Sequence, residues 1–190
     1  MIKFLDLHKI NQPYETEFRQ KFQQFLNKGW YILGENVKQF ESEFATYCGT
    51  KHCIGVANGL DALILIFRAY KQLGRLQNGD EIIVPANTYI ASIIAVLHND
   101  LVPVLVEPNI ETYNINPSEI EKHITPKTKA ILPVHLYGQL CDMKGINEIA
   151  KKYKLLVVED VAQAHGAKSP SFGGVGEALF QRIKFSLGFD

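Results

Sequence analysis

Apolar positions recur along the first fifty residues with a helical period. From Pro13 to Lys28, Phe18, Phe22, Phe25 and Leu26 fall at i, i+4, i+7 and i+8, with Pro13 near the start and Gly29 past the end. A second stripe of Val37, Phe40, Phe44 and Tyr47 begins near Glu35 and stops at Gly49. Two amphipathic helices are therefore predicted before the first strand.

The pattern then changes. Short runs rich in Val and Ile predict strands over 52–57, 81–84, 102–107, 129–134 and 155–159, with helices between them over 60–73, 89–98, 117–123 and 143–153. Ser118 and Asp142 are candidate N-cap residues for the last two helices. Strands without strict in/out alternation, separated by helices, predict a mostly parallel sheet covered on both faces, an α/β doubly wound domain.

Composition narrows the function classes. The chain has 190 residues, of which 46% are apolar, enough for one ordinary domain with a sizeable core. Twenty Lys and Arg balance twenty Asp and Glu, so nothing in the totals indicates duplex nucleic acid or an anionic membrane as partner. A small molecule is the expected ligand. Three cysteines, Cys48, Cys53 and Cys141, are too few for a disulfide scaffold, and the six histidines show no metal-ligand spacing with them. The N-terminus meets charge at Lys3 and Asp6, too soon for a signal peptide, and no apolar run has membrane-spanning length. A cytoplasmic location is expected.

Parallel sheets place their ligands beyond the carboxyl ends of the strands. The first predicted strand runs into Asn58-Gly59-Leu60-Asp61-Ala62. A helix beginning there would leave backbone N–H groups free for a phosphate at the Gly59-Leu60 turn; the alternative is an ordinary glycine turn with Asp61 as a first-turn anion. The segment is neither a dinucleotide fingerprint nor a Walker loop. The second strand leads to Tyr89, which either offers a flat face to a heteroaromatic ring or packs on neighbouring loops. The fifth ends in Glu159-Asp160-Val161-Ala162-Gln163, and an acid after a buried run must face water, pair, or hold a protonated ligand. A pyridinium nitrogen would suit Asp160, since pyridoxal phosphate enzymes use an Asp in that role; a solvated or capping Asp is the alternative. Together the three strand ends suggest a phosphate cradle, a ring stack and a ring-nitrogen anchor.

Several segments carry a family resemblance: Gly29-Trp30-Tyr31-Ile32-Leu33-Gly34, Asn58-Gly59-Leu60-Asp61-Ala62-Leu63, Val84-Pro85-Ala86-Asn87-Thr88-Tyr89, Pro133-Val134-His135-Leu136-Tyr137-Gly138 and Glu159-Asp160-Val161-Ala162-Gln163-Ala164-His165-Gly166-Ala167. In this order they resemble the DegT/DnrJ/EryC1/StrS family of pyridoxal 5′-phosphate-dependent sugar aminotransferases, nearly continuously from Phe4 to Ala167. The resemblance implies the large domain of a type I aminotransferase, incomplete here and without the small C-terminal domain. It implies that Gly59 and Leu60 hold the cofactor phosphate through backbone N–H groups, although many members have Thr where Leu60 stands. Tyr89 matches the position that stacks on the ring, Asp160 the acid paired with its nitrogen, and Gln163 the residue near its phenolic oxygen. The family transfers an amino group, commonly from glutamate, to a keto carbon of a nucleotide-linked deoxy sugar, typically as a homodimer. The opening segments look most like the branch acting on dTDP-linked 3-keto-6-deoxyhexoses; 4-keto enzymes share much of the pattern.

The tail departs from the resemblance. Members have a Ser-Phe pair and, five residues after that Ser, the Lys that binds the cofactor as an imine. Here Gly176 stands five residues after Ser171, the same count from Ser186 passes Asp190, and Lys184 precedes Ser186. The expected organisation is an N-terminal segment and partial cofactor-binding domain over 1–167 and a divergent tail over 168–190, read as a frameshift or premature end with genuine C-terminal variation as the alternative, and no catalytic residue is assigned. Inactivity of the chain as it stands and poor solubility from uncovered strand edges are the accompanying expectations, and the alternative to a sugar-nucleotide aminotransferase is a non-catalytic remnant or binding module with a partial cofactor pocket.

Overall fold

A computed structural model describes residues 3–167 and the backbone of Lys184–Phe185. The expectations for the 168–190 tail therefore lie outside the described residues. The chain divides into two compact units, Met1–Gly55 and Val56–Asp190.

The first unit is helical. A short helix α1 (Leu7–Asn11) precedes the predicted pair, α2 (Glu15–Lys28) and α3 (Glu35–Cys48). Gly29 and Gly49 end α2 and α3 with φ of 65°, the left-handed cap that glycine adopts at least cost. The strand expected over 52–57 does not form. Gly55 instead donates its N–H to Glu41 Oε1 at 2.7 Å, and Ile54 is 80% exposed; Val56 packs against the core, but the run has no ladder to join.

The second unit carries the sheet. Helix α4 (Gly59–Gln72) leads to β1 (Glu81–Pro85), followed by α5 (Ile90–Leu97), β2 (Val102–Val106), α6 (Pro117–Ile120), β3 (Thr128–Ile131), α7 (Met143–Tyr153), β4 (Leu156–Val157) and β5 (Glu159–Asp160). The four-stranded sheet is parallel, in the order β2-β1-β3-β4. Beyond β4 the chain keeps following the extension of β3: Asp160 donates its N–H to Pro133 O and accepts one from His135. β5 also pairs in parallel with β6 (Lys184–Phe185).

Both faces of the sheet are apolar, and successive residues serve opposite layers. Ile82, Val84, Ala130, Leu132 and Val158 pack with Leu63, Phe67 and Ala95 of α4 and α5. Ile83, Ile131 and Val157 pack with Ile120, Ile146 and Ala150 of α6 and α7. This is the doubly wound, type I aminotransferase-like α/β arrangement, and it explains why the strands lack polar alternation. Asp142 caps α7 through the Gly145 N–H, as predicted; α6 is capped by Asn116, which accepts from the Ser118 N–H, so Ser118 lies inside the first turn rather than at the cap. No helix among the described residues is long and apolar enough to cross a membrane.

Candidate active site

The strand order reverses direction between β1 and β3, and a doubly wound sheet opens its ligand crevice at the carboxyl ends of such a pair. The loop after β1 (Ala86–Tyr89) and the extension of β3 (Leu132–Gly138) leave the sheet there, with β5 alongside the latter.

Helix α4 points its N-terminus toward the same edge. Its C-terminal Lys71 donates to Asn99 O, just past the end of α5, and a short turn leads from it into β1. Both helices therefore run antiparallel to the strands and begin at the carboxyl side. Asn58 caps α4: its Oδ1 accepts the Asp61 N–H at 2.9 Å and its Nδ2 donates to Asp61 Oδ2 at 3.0 Å. The cap consumes the third N–H of the helix mouth. Those of Gly59 and Leu60 have no intrahelical acceptor and carry the positive end of the macrodipole.

Tyr89 occupies the N-cap position of α5 and is 74% exposed, so its ring is available to a ligand. Two residues flanking it, neither singled out by sequence, tie the loop to β5. Ser92 Oγ donates to Asp160 Oδ2 at 3.1 Å, and Thr88 Oγ1 lies 2.9 Å from Ser92 Oγ. Asp160 is 8% exposed, and its other oxygen accepts the Ala162 N–H at 3.1 Å. Each carboxylate oxygen thus has one protein donor and spare lone pairs.

Gln163 is exposed, and its Oε1 accepts the Tyr137 N–H at 2.8 Å. Only an oxygen can accept from that N–H, so the Gln163 Nε2 group is the end left to donate to a ligand. Tyr137 holds φ of 55°, uncommon for a bulky residue, and its ring meets Tyr113, itself at φ 58°, edge to face at 6.4 Å between centroids. Neither conformation has a signal in the sequence beyond the neighbouring Gly138.

Behind the site, His135 is fully buried. Its Nδ1 accepts the Cys141 N–H at 3.0 Å, which leaves Nε2 as the donor to Glu159 Oε2 at 3.1 Å. The two acids after the fifth predicted strand therefore separate: Glu159 turns to His135, and Asp160 turns to Ser92. Burial pushes the Cys141 thiol up to about 12, against an ordinary value of 9.0, so this sulfur is a packing group and not a nucleophile. Among the described residues no group of three or more His, Cys, Asp or Glu could hold a metal ion.

The arrangement offers two N–H donors at a helix mouth, an exposed aromatic ring, a buried carboxylate wanting a further donor, and an amide NH₂. Such a set suits an anionic ligand whose ring carries a protonated nitrogen.

Known proteins share the chain's sequence and shape. It is 59% identical over 180 residues to dTDP-3-amino-3,6-dideoxy-alpha-D-galactopyranose transaminase of Aneurinibacillus thermoaerophilus, a match covering 94% of this chain and 48% of that relative. The crystal structure of Streptomyces venezuelae DesV in complex with a ketimine intermediate superposes with a TM-score of 0.81 at 45% identity, over 87% of this chain and 43% of that one. NtdA from Bacillus subtilis with bound cofactor PMP gives a TM-score of 0.82 at 37% identity, over 90% of this chain and 38% of that one. The chain thus spans about half the length of the curated relative it matches. With a match to the family model over residues 13–178, the chain belongs to the DegT/DnrJ/EryC1/StrS aminotransferase family.

Proposed function

We propose that these residues form the cofactor-binding part of a pyridoxal 5′-phosphate-dependent aminotransferase acting on a nucleotide-linked keto-deoxy sugar, with glutamate as amino donor. The observation that carries this reading is Asp160. It is a buried carboxylate with a protein donor on each oxygen and acceptor capacity remaining on both, so the group that completes it must be a donor, as a pyridinium N–H is. The other residues fit the same molecule. Gly59 and Leu60 supply N–H donors for the phosphate, Tyr89 a face for the ring and Gln163 an NH₂ for the phenolic oxygen.

When bound, the cofactor ring draws off the electron pair left at the amine-bearing carbon when its proton departs. This chain's residues prepare the ring for that: Asp160 keeps the nitrogen protonated, the helix mouth fixes one end and Gln163 orients the other. The one transaminase relative named above supports a dTDP-linked 3-keto sugar as the acceptor. We assign cofactor binding to residues 1–167 and place 168–190 outside it. Gly176 stands where a Lys would be expected five residues after Ser171, and this favours a second reading of the 190 residues as a module that binds the cofactor reversibly without transaminating.

Titration of the purified 190-residue chain with pyridoxal 5′-phosphate, followed by absorbance, tests both readings. Saturable binding reversed by dialysis, with no spectral change on adding glutamate, is expected of the module. A band that shifts with glutamate would establish transamination by the chain as it stands, and absence of binding would refute the cofactor assignment.

A further inference from the structure

Asp160 is held by a hydrogen-bond chain that originates in another element. Ser92, in the first turn of α5 and 1% exposed, has one hydroxyl proton and gives it to Asp160 Oδ2 at 3.1 Å. The 2.9 Å contact between Thr88 and Ser92 must then run from the Thr88 hydroxyl to Ser92 Oγ. Every proton in the chain points toward the acid. The backbone closes around the same residues, for Thr88 donates its N–H to Pro85 O and Ser92 donates its own to Tyr89 O. Tyr89 thus sits between the two hydroxyls.

A carboxylate near the end of a side chain can rotate about its last bond. Asp160 has the Ala162 N–H on Oδ1 within its own loop; the bond from Ser92 fixes Oδ2 against a separate helix. With both oxygens tethered, the spare lone pairs have one direction. We propose that Ser92, supported by Thr88, is the positioning residue that aims Asp160 at the ring nitrogen and couples it to the loop bearing Tyr89. This inference rests on the cofactor reading above. The same hydroxyls could instead serve only to join α5 to β5, and the two roles give different results.

Affinities of the 190-residue chain for pyridoxamine 5′-phosphate and for its 1-deaza analogue, in which C–H replaces the ring nitrogen, separate them. Their ratio reports the bond from the nitrogen alone. Ser92→Ala should lower the ratio by about fivefold to tenfold, the effect of one misdirected charge-assisted hydrogen bond, while the deaza affinity stays within about twofold. Thr88→Val should lower it less, and Ser92→Thr should restore it. An equal loss for both ligands would mark a purely structural role and overturn the proposal. So would an unchanged ratio in Ser92→Ala when Asp160→Asn abolishes the preference. If Asp160→Asn leaves the ratio unchanged, or the chain binds neither ligand, the cofactor reading itself fails. Thermal melts of each variant verify that it is folded.

Discussion

Individual side chains show how one short segment serves two purposes. Glu159 and Asp160 are adjacent, and strand geometry sends them to opposite faces, one to a buried histidine and one to the site. His135→Ala would leave the Cys141 N–H without its acceptor and take one buried hydrogen bond from Glu159. A loss of about 2–4 kcal/mol in urea-unfolding stability is expected. Cys141 makes a prediction in pH. Its thiol is raised by burial from 9.0 to about 12, so the unfolded chain ionises before the folded one. The stabilisation is complete below pH 9 and is lost as pH rises toward about 12. Tyr70, also raised by burial, adds to the same alkaline loss. Cys141→Ala should flatten the fall of melting temperature over that range, although its cavity lowers stability at neutral pH. Sequence alone marked Asp160 because an acid after an apolar run demands a partner. It gave no hint of Ser92, since a serine in an apolar helix is recognised as a donor only when the strand facing it is known.

Among the elements, the predicted pattern held where burial was two-sided. Ile82 to Val84 and Ala130 to Leu132 are apolar because each residue enters one of two cores, and such runs are legible without a structure. The run His52–Ala57 looks similar yet forms no ladder, because pairing depends on which strand lies alongside and not on the run itself. Caps were partly legible: Asp142 is a cap, whereas at α6 the asparagine before Pro117 takes the role assigned to Ser118. At α4 the cap borders the proposed phosphate site. Asn58→Ala should cost about 1 kcal/mol, read from chemical denaturation. It would also free the Asp61 carboxylate from Asn58 Nδ2 at the helix mouth, so the affinity for pyridoxal 5′-phosphate should fall with it.

The second unit as a whole is a sheet with unequal edges. Strand β2 lies at one end of the four-stranded order. Val102 donates its N–H inward to Asp80 O, so Val104 also faces β1, while Pro103 and Leu105 face outward. Pro103 has no N–H to offer, which removes one of the two outward donors and makes the edge a poor template for another chain. Pro103→Val would supply that donor beside the half-exposed Leu105. Sedimentation velocity should then show self-association rising with concentration, where the parent chain shows less.

The same proline bears on how the sheet is assembled. β1, α5 and β2 are contiguous in sequence and close a local unit, whereas β3 and then β4 are added later in the chain on the side away from β2, and β5 continues the line of β4 along the extension of β3. With one of its two outward donors removed at Pro103, β2 is the less receptive margin, and β3 and β4 join the sheet at the other side in the order of the sequence. Chain order and spatial order therefore agree on that side of the sheet, and Asp160 follows β1, Ser92 and β3 in the sequence.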